Sequence, residues 1–311
     1  MNILISTSSF ANHSSEPLDL LKAWGANYRL NPEGRKLSEE EILPLLDEID
    51  GLIAGTEPLT RAVLSQASCL KVISRCGTGL DNVDLDAAAE LGIEVRNTPD
   101  AHVDAVAELT LAAILNSLRQ ITAADRAIRE RKWQKPMGRL LRDQTVGLVG
   151  LGRVGRRLLE LLMPFNVTFL ATDLQQDLEL AQKYAVRYTD LDTLLRHADI
   201  VSLHIPYTAS VRNLIDAPRL RMMKQGSLLI NCARGGIVDE EALRAVLQDG
   251  HLAAAHIDTF ESEPYVGPLT ELPNVTMSPH IGSYAVEGRI RMEKEAVLNL
   301  INCLDHVRRQ P

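Results

Sequence analysis

The 311-residue sequence lacks several features that would assign it to other classes of protein. Its four cysteines show no CxxC spacing, so neither a disulfide framework nor a metal site is indicated, and a reducing compartment is favoured. The net charge is −8, which argues against a nucleic-acid or membrane-surface partner. No apolar run approaches the roughly 18 residues of a membrane span, and the N-terminus lacks a signal peptide's basic segment. We therefore expect a cytoplasmic protein.

Short β-rich runs alternate with helical patterns along almost the whole chain, which predicts an α/β fold of doubly wound parallel sheets. A capping box at Ser38 and Glu41 predicts a helix over 38–48. Further helices are predicted over 153–163, 191–197 and 239–248. Strands are predicted in two series: 3–6, 51–54, 71–74 and 93–96, then 145–150, 167–172, 200–205, 227–231, 253–257 and 275–278. The second series has the six strands that are typical of a dinucleotide-binding domain.

Pro99, within the segment 97–102, interrupts this pattern and indicates a crossing between two domains. We expect a nucleotide-binding Rossmann domain over 99–283 and a flavodoxin-like domain built from 1–98 and 284–311, with the active site in the cleft between them. The final helix, about 283–305, would return to the first domain. A helix over 101–120 is apolar on more than one face, so it lies either in the interior or in a subunit interface.

The segment 145–162 carries the signature of a dinucleotide site. Gly150, Gly152 and Gly155 form a G-x-G-x-x-G motif between an apolar strand and an amphipathic helix, where the helix N-terminus can bind a pyrophosphate. Asp173 ends the next strand and can accept a hydrogen bond from a ribose 2′-hydroxyl. No arginine follows it, so NAD is favoured over NADP. Within the motif, Arg153 and Val154 are expected to contact the cofactor.

Polar side chains follow three later strands, at the edge where ligands bind in open α/β sheets. Arg234 can hold an anion through its guanidinium fork, and His280 can exchange a hydroxyl proton. Asp258, Glu261 and Glu263 offer carboxylates, of which one beside the histidine would favour the protonated imidazole. Each of these residues alone is more often structural than catalytic, and it is their combination that indicates a reaction site.

With these motifs in place, the chain resembles the D-isomer-specific 2-hydroxyacid dehydrogenases over essentially its full length. The resemblance is carried by six segments in order: RCGTGLDNVDL (75–85), GLVGLGRVG (147–155), VSLHIPYT (201–208), NCARGGIVDEEAL (231–243), DTFESEP (258–264) and SPHIGS (278–283). It implies an NAD-dependent oxidoreductase acting on a small 2-hydroxy or 2-keto acid.

The resemblance also implies a role for each matching residue. Arg234 would bind the substrate carboxylate, His280 would be the acid/base, and Glu263 rather than Glu261 would support the histidine. Asp258 would lie near the nicotinamide carboxamide. The backbone amides of the segment from Cys76 through Gly77 and Thr78 to Gly79 would receive the carboxylate. Further cofactor contacts are implied for His204, Pro206, Cys232 and Ala233.

Within the family, the D-3-phosphoglycerate dehydrogenases of serine biosynthesis are the most similar branch, and Arg75 lies where that branch has an arginine near the phosphate. Glu57 departs from the branch, since it stands where an arginine-serine pair is common and would repel a phosphate. Arg35 and Lys36 are either a replacement phosphate site or a solvated basic turn. The expected activity is therefore the oxidation of D-3-phosphoglycerate or the reverse reduction of 3-phosphohydroxypyruvate. Glyoxylate or hydroxypyruvate reduction is the alternative activity, and an NAD-sensing, corepressor-like scaffold is the alternative from another class.

The assembly is expected to be a homodimer formed through the 101–120 helix region. Lys135 and Arg139, which follow this helix, would then be able to reach the cleft of the neighbouring subunit.

Overall fold

A computed structural model describes residues 1–309 of the chain. The chain forms two compact units, each with its own sheet. The first unit contains Met1–His102 together with the chain from Tyr284 onward, and the second contains Val103–Ser283. The division thus falls between His102 and Val103, compared with the crossing expected after residue 98.

Twelve strands occur within residues 1–309. In chain order they are β1 (Asn2–Ile5), β2 (Asn27–Leu30), β3 (Gly51–Ala54), β4 (Val72–Arg75), β5 (Glu94–Arg96), β6 (Thr145–Val149), β7 (Thr168–Thr172), β8 (Val186–Tyr188), β9 (Ile200–Leu203), β10 (Leu228–Asn231), β11 (Ala254–Ile257) and β12 (Val275–Met277).

Twelve α-helices occur in the same described range. They are α1 (Glu16–Trp24), α2 (Glu39–Ile42), α3 (Arg61–Leu64), α4 (Leu85–Glu90), α5 (Val103–Arg119), α6 (Ile121–Arg129), α7 (Arg153–Leu162), α8 (Leu178–Tyr184), α9 (Leu191–His197), α10 (Ala217–Met222), α11 (Glu240–Gln248) and α12 (Val286–Arg309). None of them is long and apolar enough to cross a membrane.

The sheet of the first unit has the order β2-β1-β3-β4-β5, and every pair is parallel. This is the flavodoxin-type order, in which the chain reverses direction across the sheet next to β1. Helix α12 packs on this sheet: Leu300 and Leu304 are fully buried, and the Ser74 hydroxyl donates to the carbonyl of Ala296 at 2.7 Å. The last helix is therefore part of the first unit's core.

The sheet of the second unit has the order β12-β11-β10-β9-β6-β7-β8, again with every pair parallel. The order reverses between β6 and β9, and this is the position where a doubly wound sheet binds its ligand. The predicted α/β class with two parallel sheets is confirmed. Seven strands form this sheet, one more than the sequence predicts. The additional strand, β8, escapes prediction because it is a three-residue edge strand with a single buried residue.

The long helix α5 contributes to the core of the second unit. Seven of its residues are buried within this single chain, and the five apolar ones belong to a core cluster with residues of α7 such as Leu158 and Leu159. They are Val106, Ala107, Thr110, Ala113, Ile114, Ser117 and Leu118. For these positions the interior interpretation is correct, and their apolar character needs no partner subunit.

The helix predicted over 38–48 begins as expected but ends early. Ser38 and Glu41 form the capping box, in which the Glu41 amide donates to Ser38 Oγ at 3.3 Å and the Ser38 amide donates to Glu41 Oε2 at 2.9 Å. The α-helix ends at Ile42, and a 3₁₀ turn follows over Leu43–Leu45. Pro44 explains the change, because it has no amide hydrogen to continue the helical ladder.

Candidate active site

The glycine motif forms the turn between β6 and α7. A Cβ on Gly155 would lie 2.3 Å from the carbonyl oxygen of Gly150, so only glycine allows the helix to pack this closely on the turn. A Cβ on Gly152 would have no atom within 4 Å, which leaves open space at the N-terminus of α7. Exposed amides and open space at a helix N-terminus are what a pyrophosphate requires. The turn therefore fits the dinucleotide predicted from the sequence.

Asp173 lies beside this turn, immediately after β7. Its Oδ2 accepts a hydrogen bond from the amide of Leu151 at 2.6 Å, and its Oδ1 accepts one from the amide of Gln175 at 3.0 Å. The carboxylate thus has a fixed orientation next to the glycine turn. The nearby Arg156 is paired with Asp177 at 2.8 Å. This arrangement fits a ribose hydroxyl better than a ribose phosphate.

His204 supports the same turn from the neighbouring strand. Its amide donates to the carbonyl of Val149 at 2.7 Å, and its Nε2 lies 2.9 Å from the hydroxyl of Ser202. Burial lowers the pKa of His204 to about 4, so the ring is neutral at neutral pH. Pro206, two residues later, is exposed. The predicted contacts of both residues with the cofactor stay predictions.

The loop after β10 is shaped by an asparagine that the sequence did not single out. The side chain of Asn231 accepts from the amide of Ala233 at 3.1 Å and donates to the carbonyl of Arg234 at 3.0 Å. Cys232 is buried between them, and burial raises the pKa of its thiol to about 12, so it is a neutral, unreactive group. In the sequence, the only sign of these two hydrogen bonds is the position of an asparagine at the end of a strand.

Arg234 is placed at the carboxyl edge of the sheet by this loop, and its Nη1 donates to the carbonyl of Ala233 at 2.9 Å. The following residue fixes the loop against the next one. A Cβ on Gly235 would lie 1.9 Å from the carbonyl oxygen of Phe260, so the two loops are in backbone contact. The arginine loop and the loop that carries Glu263 therefore form one packed structure.

Asp258 holds the loop that carries His280. It is fully buried, and its carboxylate accepts hydrogen bonds from Ser278 Oγ at 2.5 Å, the Ile281 amide at 2.9 Å and the Gly282 amide at 2.9 Å. Its own carbonyl accepts from the His280 amide at 2.8 Å. Asp258 therefore positions the histidine loop. A contact between Asp258 and the nicotinamide stays a prediction, and Ser278 is a supporting residue that the sequence did not reveal.

Glu263 and His280 form the central pair of the site. Nδ1 of His280 lies 2.9 Å from Oε2 of Glu263, whose Oε1 accepts from the amide of Phe260 at 3.0 Å. Burial opposes ionisation of Glu263, but these two hydrogen bonds and the charges of His280 and Arg234 outweigh it and lower its pKa below the ordinary value. The carboxylate is therefore ionised at neutral pH.

Glu261 has a different partner, since its Oε1 lies 2.7 Å from Nη2 of Arg212 on the surface.

The backbone of His280 has a φ of 55°, a left-handed conformation that is unusual for a residue other than glycine. Hydrogen bonds from the His280 amide to the carbonyl oxygens of Asp258 and Ser278 hold the backbone in this conformation. The loop thus fixes the ring, and 45% of the His280 side chain remains exposed for a reacting molecule.

In the first unit, the segment predicted to receive a carboxylate follows β4. The amide of Cys76 donates to the carbonyl of Ala54 at 2.8 Å, and the amide of Gly77 donates to Thr98 Oγ1 at 2.8 Å. Two of the four predicted amides are thus already used within the protein. Within residues 1–309, the amides of Thr78 and Gly79 have no such acceptor. Arg75 directs its Nη1 to the carbonyl of Cys76.

One of the two cations of the predicted replacement phosphate site, Arg35, is already paired within the protein. Arg35 makes a forked pair with Glu41, with Nη1–Oε2 at 2.9 Å and Nη2–Oε1 at 2.5 Å. Hydrogen bonding to Arg35 lowers the pKa of Glu41 to about 2, so this acid neutralises the arginine. Of the two interpretations of this turn, the structure favours the solvated basic turn.

Glu57 lies at the carboxyl end of β3 and is almost completely buried. Both of its carboxylate oxygens accept from the amide of Gly55, at 3.0 and 3.1 Å, and Ser6 donates its hydroxyl to Oε1. The side chain is therefore folded back onto the sheet edge. It is also an electrostatic neighbour of the Cys76 thiol, whose pKa burial raises to about 12.

Known proteins that resemble this chain belong to one family. Residues 111–282 match the family model of the D-isomer specific 2-hydroxyacid dehydrogenase, NAD binding domain. The chain is 42% identical over 277 residues to the glyoxylate reductase of Thermofilum pendens, covering 86% of this chain and 82% of that one. It is 37% identical over 259 residues to the D-3-phosphoglycerate dehydrogenase of Methanocaldococcus jannaschii, covering 81% of this chain and 49% of that one.

A solved structure gives the same result for the fold. The TT0316 protein of Thermus thermophilus superposes with a TM-score of 0.91 at 34% identity, covering 98% of this chain and 97% of that one. Within residues 1–309, no group of three His, Cys, Asp or Glu side chains could hold a metal ion. The chain therefore belongs to the D-isomer-specific 2-hydroxyacid dehydrogenase family and is an NAD-dependent oxidoreductase of 2-hydroxy acids.

Proposed function

We propose that the protein reduces a short, unphosphorylated 2-keto acid, such as glyoxylate or hydroxypyruvate, to the corresponding 2-hydroxy acid. The observation that carries the proposal is the 2.9 Å contact between His280 Nδ1 and Glu263. It orients the ring so that Nε2 is the atom available to a substrate. When bound, the nicotinamide would supply the hydride. His280 gives its proton to the carbonyl oxygen, and Arg234 binds the substrate carboxylate.

The charges of the first unit disfavour a phosphorylated substrate. Glu57 adds a carboxylate to the carboxyl edge of β3, near the Cys76 segment, where a phosphate would need cations. Arg35 is already paired with Glu41. The similarity to a glyoxylate reductase over most of both chains supports the same choice.

A phosphorylated substrate remains the second candidate, because Arg75 lies next to the Cys76–Gly79 segment and because the chain is similar to half of a D-3-phosphoglycerate dehydrogenase. The two candidates are separated by comparing kcat/KM for glyoxylate, hydroxypyruvate and 3-phosphohydroxypyruvate with NADH. We expect the phosphorylated acid to be at least tenfold poorer than hydroxypyruvate. A preference for the phosphorylated acid would contradict the proposed substrate while leaving the reaction class intact.

We further propose that the protein is a homodimer formed through the 101–120 helix region and the segment that follows it. Several large apolar side chains are exposed just beyond this helix, which is unusual for a surface that stays in water. They are Ile121, Ile128, Trp133, Met137 and Leu140. Size-exclusion chromatography with light scattering should give twice the mass of the chain, and Trp133→Glu should shift the equilibrium toward the monomer.

A further inference from the structure

A histidine that the sequence did not single out lies near the carboxyl end of β11, beside the edge strand β12. His256 is 6% exposed, and each ring nitrogen has a partner: Nδ1 lies 3.0 Å from Thr276 Oγ1, and Nε2 lies 3.3 Å from Ser278 Oγ. Thr276 is also the register partner of His256 on β12. Burying an imidazole is unfavourable unless its nitrogens find such partners. The ring is therefore held on both sides within one unit of the chain.

The ring is connected to the loop of His280 through one hydroxyl group. Ser278 Oγ donates to Asp258 Oδ1 at 2.5 Å, and the same carboxylate accepts from two backbone amides of the loop, each at 2.9 Å. The amide of His280 donates to the carbonyl oxygens of Asp258 at 2.8 Å and of Ser278 at 3.0 Å. A path of hydrogen bonds thus leads from His256 to the backbone that carries His280.

The hydrogen atoms of this path are assigned by counting donors. A carboxylate only accepts and a serine hydroxyl has one hydrogen, so the hydrogen of Ser278 is the one given to Asp258. The contact between Ser278 Oγ and His256 Nε2 then requires a hydrogen on Nε2. Burial lowers the pKa of His256, although the charge of Asp258 acts in the opposite direction, so the ring is neutral at pH 7 and has no second hydrogen. Nδ1 therefore accepts from Thr276, whose other acceptor, the Ala255 carbonyl, is farther away at 3.5 Å.

We propose that His256 is a positioning residue for the reaction, which acts on His280 through Ser278 and Asp258. All hydrogen bonds of the path point in one direction, from Thr276 through the ring and the serine to the carboxylate. Such a chain strengthens its members, because each donor is polarised by the bond that it accepts. The bond to Asp258 in turn keeps the left-handed backbone at His280 in place. The inference rests on the proposed role of His280 and is independent of which 2-keto acid is reduced.

The hydrogen assignment is tested in the wild-type chain by ¹⁵N NMR of the histidine rings, with NAD at saturation and at pH 7. We expect a neutral ring with its hydrogen on Nε2, whose signal is identified by its loss in His256→Gln. A neutral ring with its hydrogen on Nδ1 would overturn the proposal, because His256 could then not donate to Ser278. This measurement needs no turnover, so it tests the path even if the enzyme reduces none of the proposed 2-keto acids.

Steady-state reduction tests the effect on the reaction. His256→Leu keeps the space filled but has no donor, and kcat should fall roughly five- to tenfold, the effect of one hydrogen bond of ordinary strength. His256→Gln, whose side-chain NH₂ can replace the Nε2 donor, should restore most of the rate. Ile230→Val is the matched control, since Ile230 is the buried register partner of His256 on β10 and has no polar atom in its side chain. Its kcat should stay within about twofold of wild type.

A double variant separates positioning from packing. Ser278→Ala should lower kcat at least as much as His256→Leu, and adding His256→Leu to it should cost nothing further, because the effect passes through the serine. Losses that multiply in the double variant would overturn the proposal, as would a His256→Gln enzyme as slow as His256→Leu. Urea unfolding shows which variants are folded at the assay temperature. If His256→Leu is not, His256→Asn replaces it, because the shorter side chain does not reach Ser278.

Discussion

His280 and Glu263 are joined by a hydrogen bond of 2.9 Å between Nδ1 and Oε2. The partner carboxylate is itself fixed by the Phe260 amide, so the ring is held at its Nδ1 side by a group that cannot easily turn away. A partner held in this way fixes the orientation of the ring, so that Nε2 is the atom that can give a proton to a carbonyl oxygen. The neighbouring Glu261 is paired with Arg212 and takes no part in this arrangement.

The first prediction concerns this pair. Glu263→Gln should lower kcat for keto-acid reduction by about 10²-fold, because the ring loses its ionised partner while the shape of the side chain is kept. Glu261→Gln is the matched control and should stay within twofold of wild type. Steady-state rates with NADH at pH 7 would measure both. Equal losses in the two variants would mean that Glu263 acts only through the general charge of the loop.

The second prediction concerns Asp258. Asp258→Asn should lower the free energy of unfolding by about 2 kcal/mol or more, because an amide NH₂ would face donors where the carboxylate now accepts three hydrogen bonds. It should also lower kcat, since the His280 loop loses its anchor. Urea unfolding would measure the first effect. Asp249→Asn, at an exposed position paired with Arg221, should lower the free energy of unfolding far less, because exposed ion pairs contribute little to stability.

The sequence predicts the sheets well because parallel strands buried on both faces leave a strong apolar pattern. It misses β2 and β8, two of the four edge strands: no residue of β2 and only one residue of β8 is buried, so both lack that pattern. The predicted length of α2 is wrong for a different reason. The capping box marks only where a helix begins, and the α-helix here ends at Ile42, before Pro44.

The roles of individual side chains are only partly predictable. Charge and position at the strand end leave Glu261 and Glu263 equivalent. The family resemblance selects Glu263, and the fold of the loop pairs Glu263 with His280 and Glu261 with Arg212. Arg35 looks like a phosphate ligand in sequence until Glu41, six residues later, is seen to neutralise it. Such pairings depend on side-chain geometry, which periodicity does not contain.

The third prediction uses two glycines of one motif. Gly152→Ala should leave stability nearly unchanged, since its Cβ meets no atom within 4 Å, but it should weaken NADH binding tenfold or more by filling the space for the pyrophosphate. Gly155→Ala should lower the free energy of unfolding by about 2 kcal/mol, because its Cβ would lie 2.3 Å from a backbone oxygen. Fluorescence titration with NADH and urea unfolding would separate the two effects.

The fourth prediction concerns the choice of cofactor. Wild-type enzyme should prefer NADH to NADPH by at least tenfold in kcat/KM, because the Asp173 carboxylate would repel a 2′-phosphate. Asp173→Asn should narrow this ratio about tenfold. Glu179→Gln, an exposed acid on α8, should not change it. If Asp173→Asn kept the full preference for NADH, another group would have to distinguish the ribose 2′-hydroxyl from a 2′-phosphate.

The fifth prediction concerns acid stability and His204. The pKa of this ring is about 4 in the folded protein and about 6.5 in the unfolded chain, so the unfolded state binds the additional proton first as the pH falls. The stability that depends on the neutral ring is complete above pH 6.5 and decreases between pH 6.5 and 4, by up to about 3 kcal/mol.

His204→Gln removes this titration, so its melting temperature should fall less than that of wild type between pH 7 and pH 5. His197→Gln, at an exposed position, should follow the wild-type curve. Differential scanning calorimetry at several pH values would provide the comparison. Because the buried His256 also has a lowered pKa, His204→Gln should retain part of the acid sensitivity. A variant curve parallel to wild type would mean that His204 is hydrated and titrates normally in the fold.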